Sequence, residues 1–291
     1  MDQGLHIGIL ENDFGAVNVD MMLLQDLKCD ACKLEMISGC GDPNCHKRRF
    51  KTQLIALGMQ QFDRIIMEPS GIFDMDEFFD TLYESPLDRW FEIGSILTIV
   101  DAQMEYLLAS EAACCGKLIL SKLQASAEPV EQLSERILQH LNRSLTGIQC
   151  KRQFQKSDLL IKDWDALTEQ DYDALLSAGY RTSSYVKQYH AETIQSEVHY
   201  FMHVRLPEDH ITSMVQTILQ DPACGTIFRI KGALPTAKGG WLKVNATKEK
   251  IELAPVAEGQ SVLIVIGDAV CRERIDAHLL AENTDPEYVS I

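Results

Sequence analysis

The sequence predicts an α/β protein: a mostly parallel sheet covered by helices, with a smaller α+β domain after it. Two observations predict the first part. Short runs rich in Ile, Leu and Val recur at residues 5–11, 62–68, 94–100 and 117–121, and each leads through polar or Gly-containing residues into an amphipathic stretch. Near-continuous apolar runs mark strands buried on both faces, which a helix-covered parallel sheet provides. A third observation predicts the second part. Near Ser196 the pattern changes, and strand-like segments dominate from there on.

Taken in order, LHIGILE (5–11) is a strand that runs into the loop ENDFG (11–15). FDRIIME (62–68), GSILTIV (94–100) and KLILS (117–121) are the next strands. Residues 127–145 form the clearest helix: Pro129 sits near its start, and Val130, Leu133, Ile137, Leu138 and Leu141 follow helical spacing. The stretch 147–191 is mixed, with a helix at EQDYDALLSA (169–178). SEVHYFMHVRL (196–206) alternates as a strand exposed on one face, which sets His199 and His203 on the same side, as packing residues rather than ligands. A helix over 208–220 follows Pro207; strands at 225–234, 240–247, 250–256 and 261–268 and a helix over 271–280 complete the second domain. The expected domains are residues 1–190 and 196–285.

The composition is that of a globular protein, 46% hydrophobic and 24% charged over 291 residues. No apolar run approaches the ~20 residues of a bilayer span, and no signal peptide precedes the first strand, so a cytoplasmic protein without a membrane partner is expected. A formal net charge of −16 argues against sequence-independent binding to nucleic acid, which needs a basic surface. Nine cysteines, an odd number in a chain with no sign of export, argue against a disulfide framework.

In an open parallel sheet, ligands bind beyond the carboxyl ends of the strands. Those ends here are Glu11-Asn12-Asp13-Phe14-Gly15, Glu68-Pro69-Ser70-Gly71, Asp101, and Ser121-Lys122-Leu123-Gln124. A carboxylate and then a Gly past a buried strand suits a nucleotide hydrolase: the acid holds Mg²⁺ and the Gly lets backbone N–H approach a terminal phosphate. A Lys past another strand can lay its methylene stem along a purine ring. Four cysteines, Cys29, Cys32, Cys40 and Cys45, lie in one short segment with His46 adjacent. C-x₂-C-x₇-C-x₄-C-H offers five candidates for the four places of a Zn²⁺ ion. Cys114 and Cys115, just before a strand, are expected to be buried.

These motifs and their order resemble the CobW-type GTPases, relatives of the nickel chaperones UreG and HypB. The resemblance runs through ENDFG with Asp20 beyond it, Glu68 to Gly71 as a Walker B variant, Val100-Asp101-Ala102, and Ser121 to Gln124 at the guanine motif. In the second domain it runs through Arg229-Ile230-Lys231-Gly232, Trp241 and LIVIG (263–267). It implies a P-loop GTPase-like sheet and a metallochaperone or metal-insertion regulator, with nucleotide hydrolysis coupled to metal binding or to a client metalloprotein. It implies Glu68 for Mg²⁺, Gly71 for the γ-phosphate, Asn12 and Asp13 for the switch loop, and Glu11 and Ser70 at the nucleotide. Ser121, Lys122 and Gln124 would hold the base, and the cysteine segment Zn²⁺. The alternative is a zinc-binding scaffold that does not hydrolyse nucleotide.

The departures from the family pattern are specific. Cys40 matches the first Cys of the family's Cys-x-Cys-Cys motif, and the other thiols are displaced. Ala16 stands where the family often has an acid. Gln124 replaces the Asp that reads the guanine edge, and a Gln offers one acceptor and one donor group where the Asp offers two acceptors. No G-x-x-x-x-G-K-[ST] string occurs in the chain. The expectation is therefore a domain lacking its first strand and P-loop, about 30 residues or one βα unit. Loss of that strand would leave two neighbouring strands without a partner.

Overall fold

The computed structural model describes residues 4–13, 24–38, 43–69, 75–102, 109–123, 128–186, 197–248 and 250–291. The chain divides into two compact units, residues 1–71 with 194–291, and residues 72–193.

The first unit opens with three parallel strands, β1 (Ile7–Asp13), β2 (Cys32–Ser38) and β3 (Arg64–Pro69), in the order β2-β1-β3. Helix α1 (Pro43–Gly58) makes the crossover from β2 to β3. It runs back along β2: Gln53 donates to Glu35 at 2.8 Å, and Lys33, near the start of β2, donates to Gln60 just past the helix at 2.8 Å. Phe50, Leu54 and Leu57 form its buried stripe, and Leu10 of β1 is fully buried. Lys47, Arg48 and Arg49 lie inside this helix, with both arginines exposed.

β2 is an element the apolar-run criterion passes over. Its residues CKLEMIS carry Lys and Glu among the apolar positions. Side chains of a strand alternate between faces, so Lys33 and Glu35 can meet the polar flank of α1 while the strand keeps its place in the sheet.

The second unit carries β4 (Leu97–Asp101), β5 (Lys117–Ser121) and the short β6 (Leu159–Leu160), again parallel and in the order β4-β5-β6. Helices α2 (Met75–Leu82), α3 (Leu87–Trp90) and α4 (Ala109–Ala113) precede β5. α5 (Val130–Gly147) buries Leu133, Ile137, Leu141 and Leu145, the stripe its spacing predicts, in one cluster with Leu118, Leu120, Cys114 and Cys115. Each such side chain taken from water contributes about 1.5–3 kcal/mol. α6 (Glu169–Leu176) begins at Thr168, whose hydroxyl and Asp171 cap each other.

One expectation about these strands is corrected. Only β5 is buried along its middle; β3 and β4 alternate, leaving Ile66 50% and Ile99 60% exposed. The reason is position. Among the described residues, β3 and β4 each pair on one side only, so one flank and part of a face stay open.

Residues 197–291 form a six-stranded antiparallel sheet in the order β10-β9-β8-β11-β7-β12. The strands are β7 (Glu197–Met202), β8 (Thr226–Pro235), β9 (Trp241–Ala246), β10 (Ile251–Val256), β11 (Val262–Asp268) and β12 (Val289–Ser290). α7 (Ile211–Gln220) and α8 (Arg272–Leu280) bury Ile211, Val215, Ile218, Ile275 and Leu279 against it. Gly232, the last residue of the Arg229–Gly232 motif, lies where any Cβ would run into the Val262 carbonyl of β11, so only Gly fits that close approach. His203 is not in the alternating strand: β7 ends at Met202, and His203 takes a positive φ of 55°. His199 stays in β7, with its Nδ1 buried and without a hydrogen-bond partner among the described residues.

Candidate functional site

The carboxyl ends of β1 and β3 come together by register. Parallel pairing sets Glu11 against Glu68 and Asn12 against Pro69, and on the other side Asn12 against Ile37 and Asp13 against Ser38. Neighbouring parallel strands lie about 4.8 Å apart, and residues in register point to the same face. Glu11 and Glu68 therefore share one face at the strand ends. Glu11 is 4% exposed, whereas Glu68 is open to solvent. Mg²⁺ is commonly held by one or two carboxylates together with phosphate oxygens. This pair fits that requirement: hard oxygen donors, one of them fixed by burial. Asn12 and Asp13 belong to β1 by their backbone, and Ser70, Gly71 and Asp20 lie outside the described residues.

The second unit has its own strand-end cluster. β4 and β5 run in register, so Asp101 lies opposite Ser121. The Ser121 hydroxyl donates to the Val100 carbonyl at 3.3 Å, and the Ala102 N–H donates to the Ser121 carbonyl at 3.0 Å. Lys122 follows with a φ of +55°, an uncommon backbone state for a residue with a side chain, of the kind found at functional loops. Its ammonium reaches Asp101 at 2.6 Å and remains largely exposed. A Lys whose head is tethered and whose stem lies open offers an apolar ledge for a flat base. Asp101 stands out in the sequence as a strand-end acid, but its partnership with Lys122 appears only once β4 and β5 are paired. Gln124 lies outside the described residues.

The cysteine segment is divided. Cys29 and Cys32 exchange two backbone hydrogen bonds, 3.2 and 3.0 Å, closing a tight turn that opens β2. Residues paired antiparallel in this way share a face. Burial pushes the Cys32 thiol up, and charge on Cys29 adds to the shift, so the two sulfurs feel each other. Cys32 is 1% exposed and Cys29 is at the surface. Cys45 and His46 lie in the first turn of α1, at the opposite end of the strand–helix pair. β2 is roughly 20 Å long at ~3.3 Å per residue. From Cys45 to Gly58, beside the start of β2, the helix covers about 20 Å at ~1.5 Å per residue.

Two thiolates on one Zn²⁺ lie about 3.8 Å apart. A single ion shared by Cys32 and Cys45 is therefore not what this arrangement builds, a correction to the reading of the segment as one ligand set. The spacing C-x₇-C looks like a loop, but most of it is an extended strand, which carries its ends apart. Cys40 lies outside the described residues. Cys29 and Cys32 together supply two soft donors, which suits an ion completed by other ligands.

The comparisons with known proteins agree with the motifs. The family model described as "CobW/HypB/UreG, nucleotide-binding domain" matches residues 1–172 of this chain. Among solved structures, this chain is similar to the Zn(II)-bound YjiA GTPase from E. coli at 15% identity and a TM-score of 0.34, covering 96% of this chain and 98% of that one. A Zn(II)-bound triple mutant of YjiA GTPase gives 18% identity and a TM-score of 0.38, covering 98% of this chain and 92% of that one. No curated protein matches.

Proposed function

We propose, from the premise that this chain belongs to the CobW/HypB/UreG nucleotide-binding family, that it is a GTP-binding metallochaperone or metal-insertion regulator. In this reading the bound nucleotide governs the grip on a transition metal or on a client metalloprotein. The observation that carries it is the register of β1 and β3, which sets Glu11 and Glu68 side by side at the carboxyl ends of two parallel strands. That is where an open parallel sheet presents its ligand.

When bound, Mg²⁺ would neutralise phosphate charge. Glu68 and Glu11 would hold it, directly or through water, and the backbone at Gly71 would face the terminal phosphate. Asn12 and Asp13 would supply the switch segment, with Ser70 beside it. Lys122, held by Asp101, would support the base together with Ser121 and Gln124. On the metal side, Cys29 and Cys32 would form one thiolate pair, and Cys40, Cys45 and His46 would serve the other end of β2. A non-hydrolysing zinc-binding scaffold is the second reading. One observation favours it: no G-x-x-x-x-G-K-[ST] string occurs in the 291 residues.

Reciprocal titration separates the two. Zn²⁺ affinity is measured with and without saturating GTP·Mg²⁺, and GTP affinity with and without Zn²⁺. Coupled sites must shift each other by the same factor, typically about 5–150-fold. Glu68→Gln is expected to remove the shift. No shift in either direction, together with no GTP hydrolysis, supports the scaffold.

A further inference from the structure

The C-terminal sheet brings together residues that are far apart in sequence. Asp221 follows α7, Cys224 ends the short turn Pro222–Cys224, and His278 lies in the second half of α8. One carboxylate oxygen of Asp221, one ring nitrogen of His278 and the sulfur of Cys224 all lie within 4.8 Å of one another. We propose that Asp221, Cys224 and His278 form a transition-metal site, of Zn²⁺ class, in the C-terminal domain, separate from the cysteine segment and from the strand-end carboxylates.

The donor set selects the ion. A thiolate, an imidazole and a carboxylate suit Zn²⁺ or Co²⁺; Mg²⁺ and Ca²⁺ want oxygen donors only. Tetrahedral ligands at about 2.0–2.3 Å from the metal stand roughly 3.3–3.8 Å apart. The Asp221 Oδ2 to His278 Nε2 contact is 2.8 Å, so the pair need only open slightly to admit the ion. The fourth place is left to water, since three protein ligands with an open position are typical of exchangeable zinc.

The frame is held by backbone. Cys224 N–H donates to the Asp221 carbonyl at 3.0 Å, and Cys271 N–H, at the start of α8, donates to the Cys224 carbonyl at 3.0 Å. Gly225, with φ of +98°, passes so close to the Ala269 carbonyl that a Cβ would collide, and this lets the two segments meet. The other oxygen of Asp221 accepts from the Ala223 N–H at 2.9 Å, which fixes the carboxylate plane. Arg274, one turn before His278, donates to Oδ2 at 3.0 Å and is the outer partner that orients this ligand. Cys224 is fully buried, while Asp221 and His278 have side chains 18% and 22% exposed, which leaves a path for the ion. Binding releases the Cys224 thiol proton to solvent. It also leaves His278 with its proton on Nδ1, so that Nε2 is the donor atom.

The test is Co²⁺ and Zn²⁺ titration of the full chain under reducing conditions, for wild type, Cys224→Ser, His278→Gln and the double variant Cys29→Ser, Cys32→Ser. Circular dichroism checks folding; His278→Gln keeps a donor toward Asp221 and so tests the site without breaking that contact. The expected result is a thiolate-to-cobalt charge-transfer band. One equivalent should be lost, or weakened by more than the roughly 10–100-fold that an outer partner costs, in both Cys224→Ser and His278→Gln. That equivalent should persist in the double variant. Unchanged stoichiometry and affinity in the folded His278→Gln protein, or a wild-type content wholly removed by the double variant, overturns the proposal.

Discussion

At the scale of single residues, chemistry follows from what surrounds each group. Lys122 and Asp101 would be two unremarkable surface charges if β4 and β5 were not in register; paired at 2.6 Å, they define one strand-end cluster. Glu111, in α4, shows the effect of burial: desolvation pushes its carboxyl up to about 7 from an ordinary value of 4.5. Between those values the folded state holds the proton more tightly than the unfolded chain, so stability falls as pH rises from about 4.5 to about 7. Glu111→Gln is expected to raise stability at pH 8 by up to about 3 kcal/mol, at roughly 1.4 kcal/mol per unit, and to change little below pH 4.5. Denaturant melts at the two pH values check this, and an equal effect at both would show that ionisation is not the cause. No periodicity exposes such a residue, because burial of a Glu is decided by what packs over it.

At the scale of elements, local signals worked where a strong pattern and a capping residue agreed. α5 was legible from its apolar stripe, and α6 from a short polar stretch in which Thr168 and Asp171 cap each other. Thr168 N–H and hydroxyl both donate to Asp171, at 2.9 and 2.6 Å, and Lys162 adds an ion pair at 2.7 Å. Thr168→Ala should therefore destabilise the chain by about 1 kcal/mol, read from the denaturation midpoint at constant slope. β2 was less legible, since its Lys and Glu break the apolar run. That omission had a consequence for function. With residues 32–38 extended, Cys32 and Cys45 cannot meet, and the single four-thiolate site dissolves into a turn pair at one end and helix-start ligands at the other.

At the scale of the whole molecule, the order of motifs along the chain carried the family assignment, and the family model over residues 1–172 bears it out. Without a phosphate-cradling G-x-x-x-x-G-K-[ST] string, this chain is expected to bind GTP·Mg²⁺ more weakly than micromolar, and isothermal titration at millimolar nucleotide is the direct check. Micromolar binding would show that other backbone amides do the work. The sequence by itself determined the parallel sheet, the antiparallel C-terminal domain and the kinds of residue at the strand ends. Each of these follows from local periodicity and from the polar residues that must end a buried strand. Only the tertiary structure decided which of those residues meet. It set Glu11 against Glu68, tied Lys122 to Asp101, held Cys32 apart from Cys45, and gathered Asp221, Cys224 and His278. The physical reason is that element type is a property of neighbours along the chain, whereas register, crossover and helix direction are set by packing between segments distant in sequence.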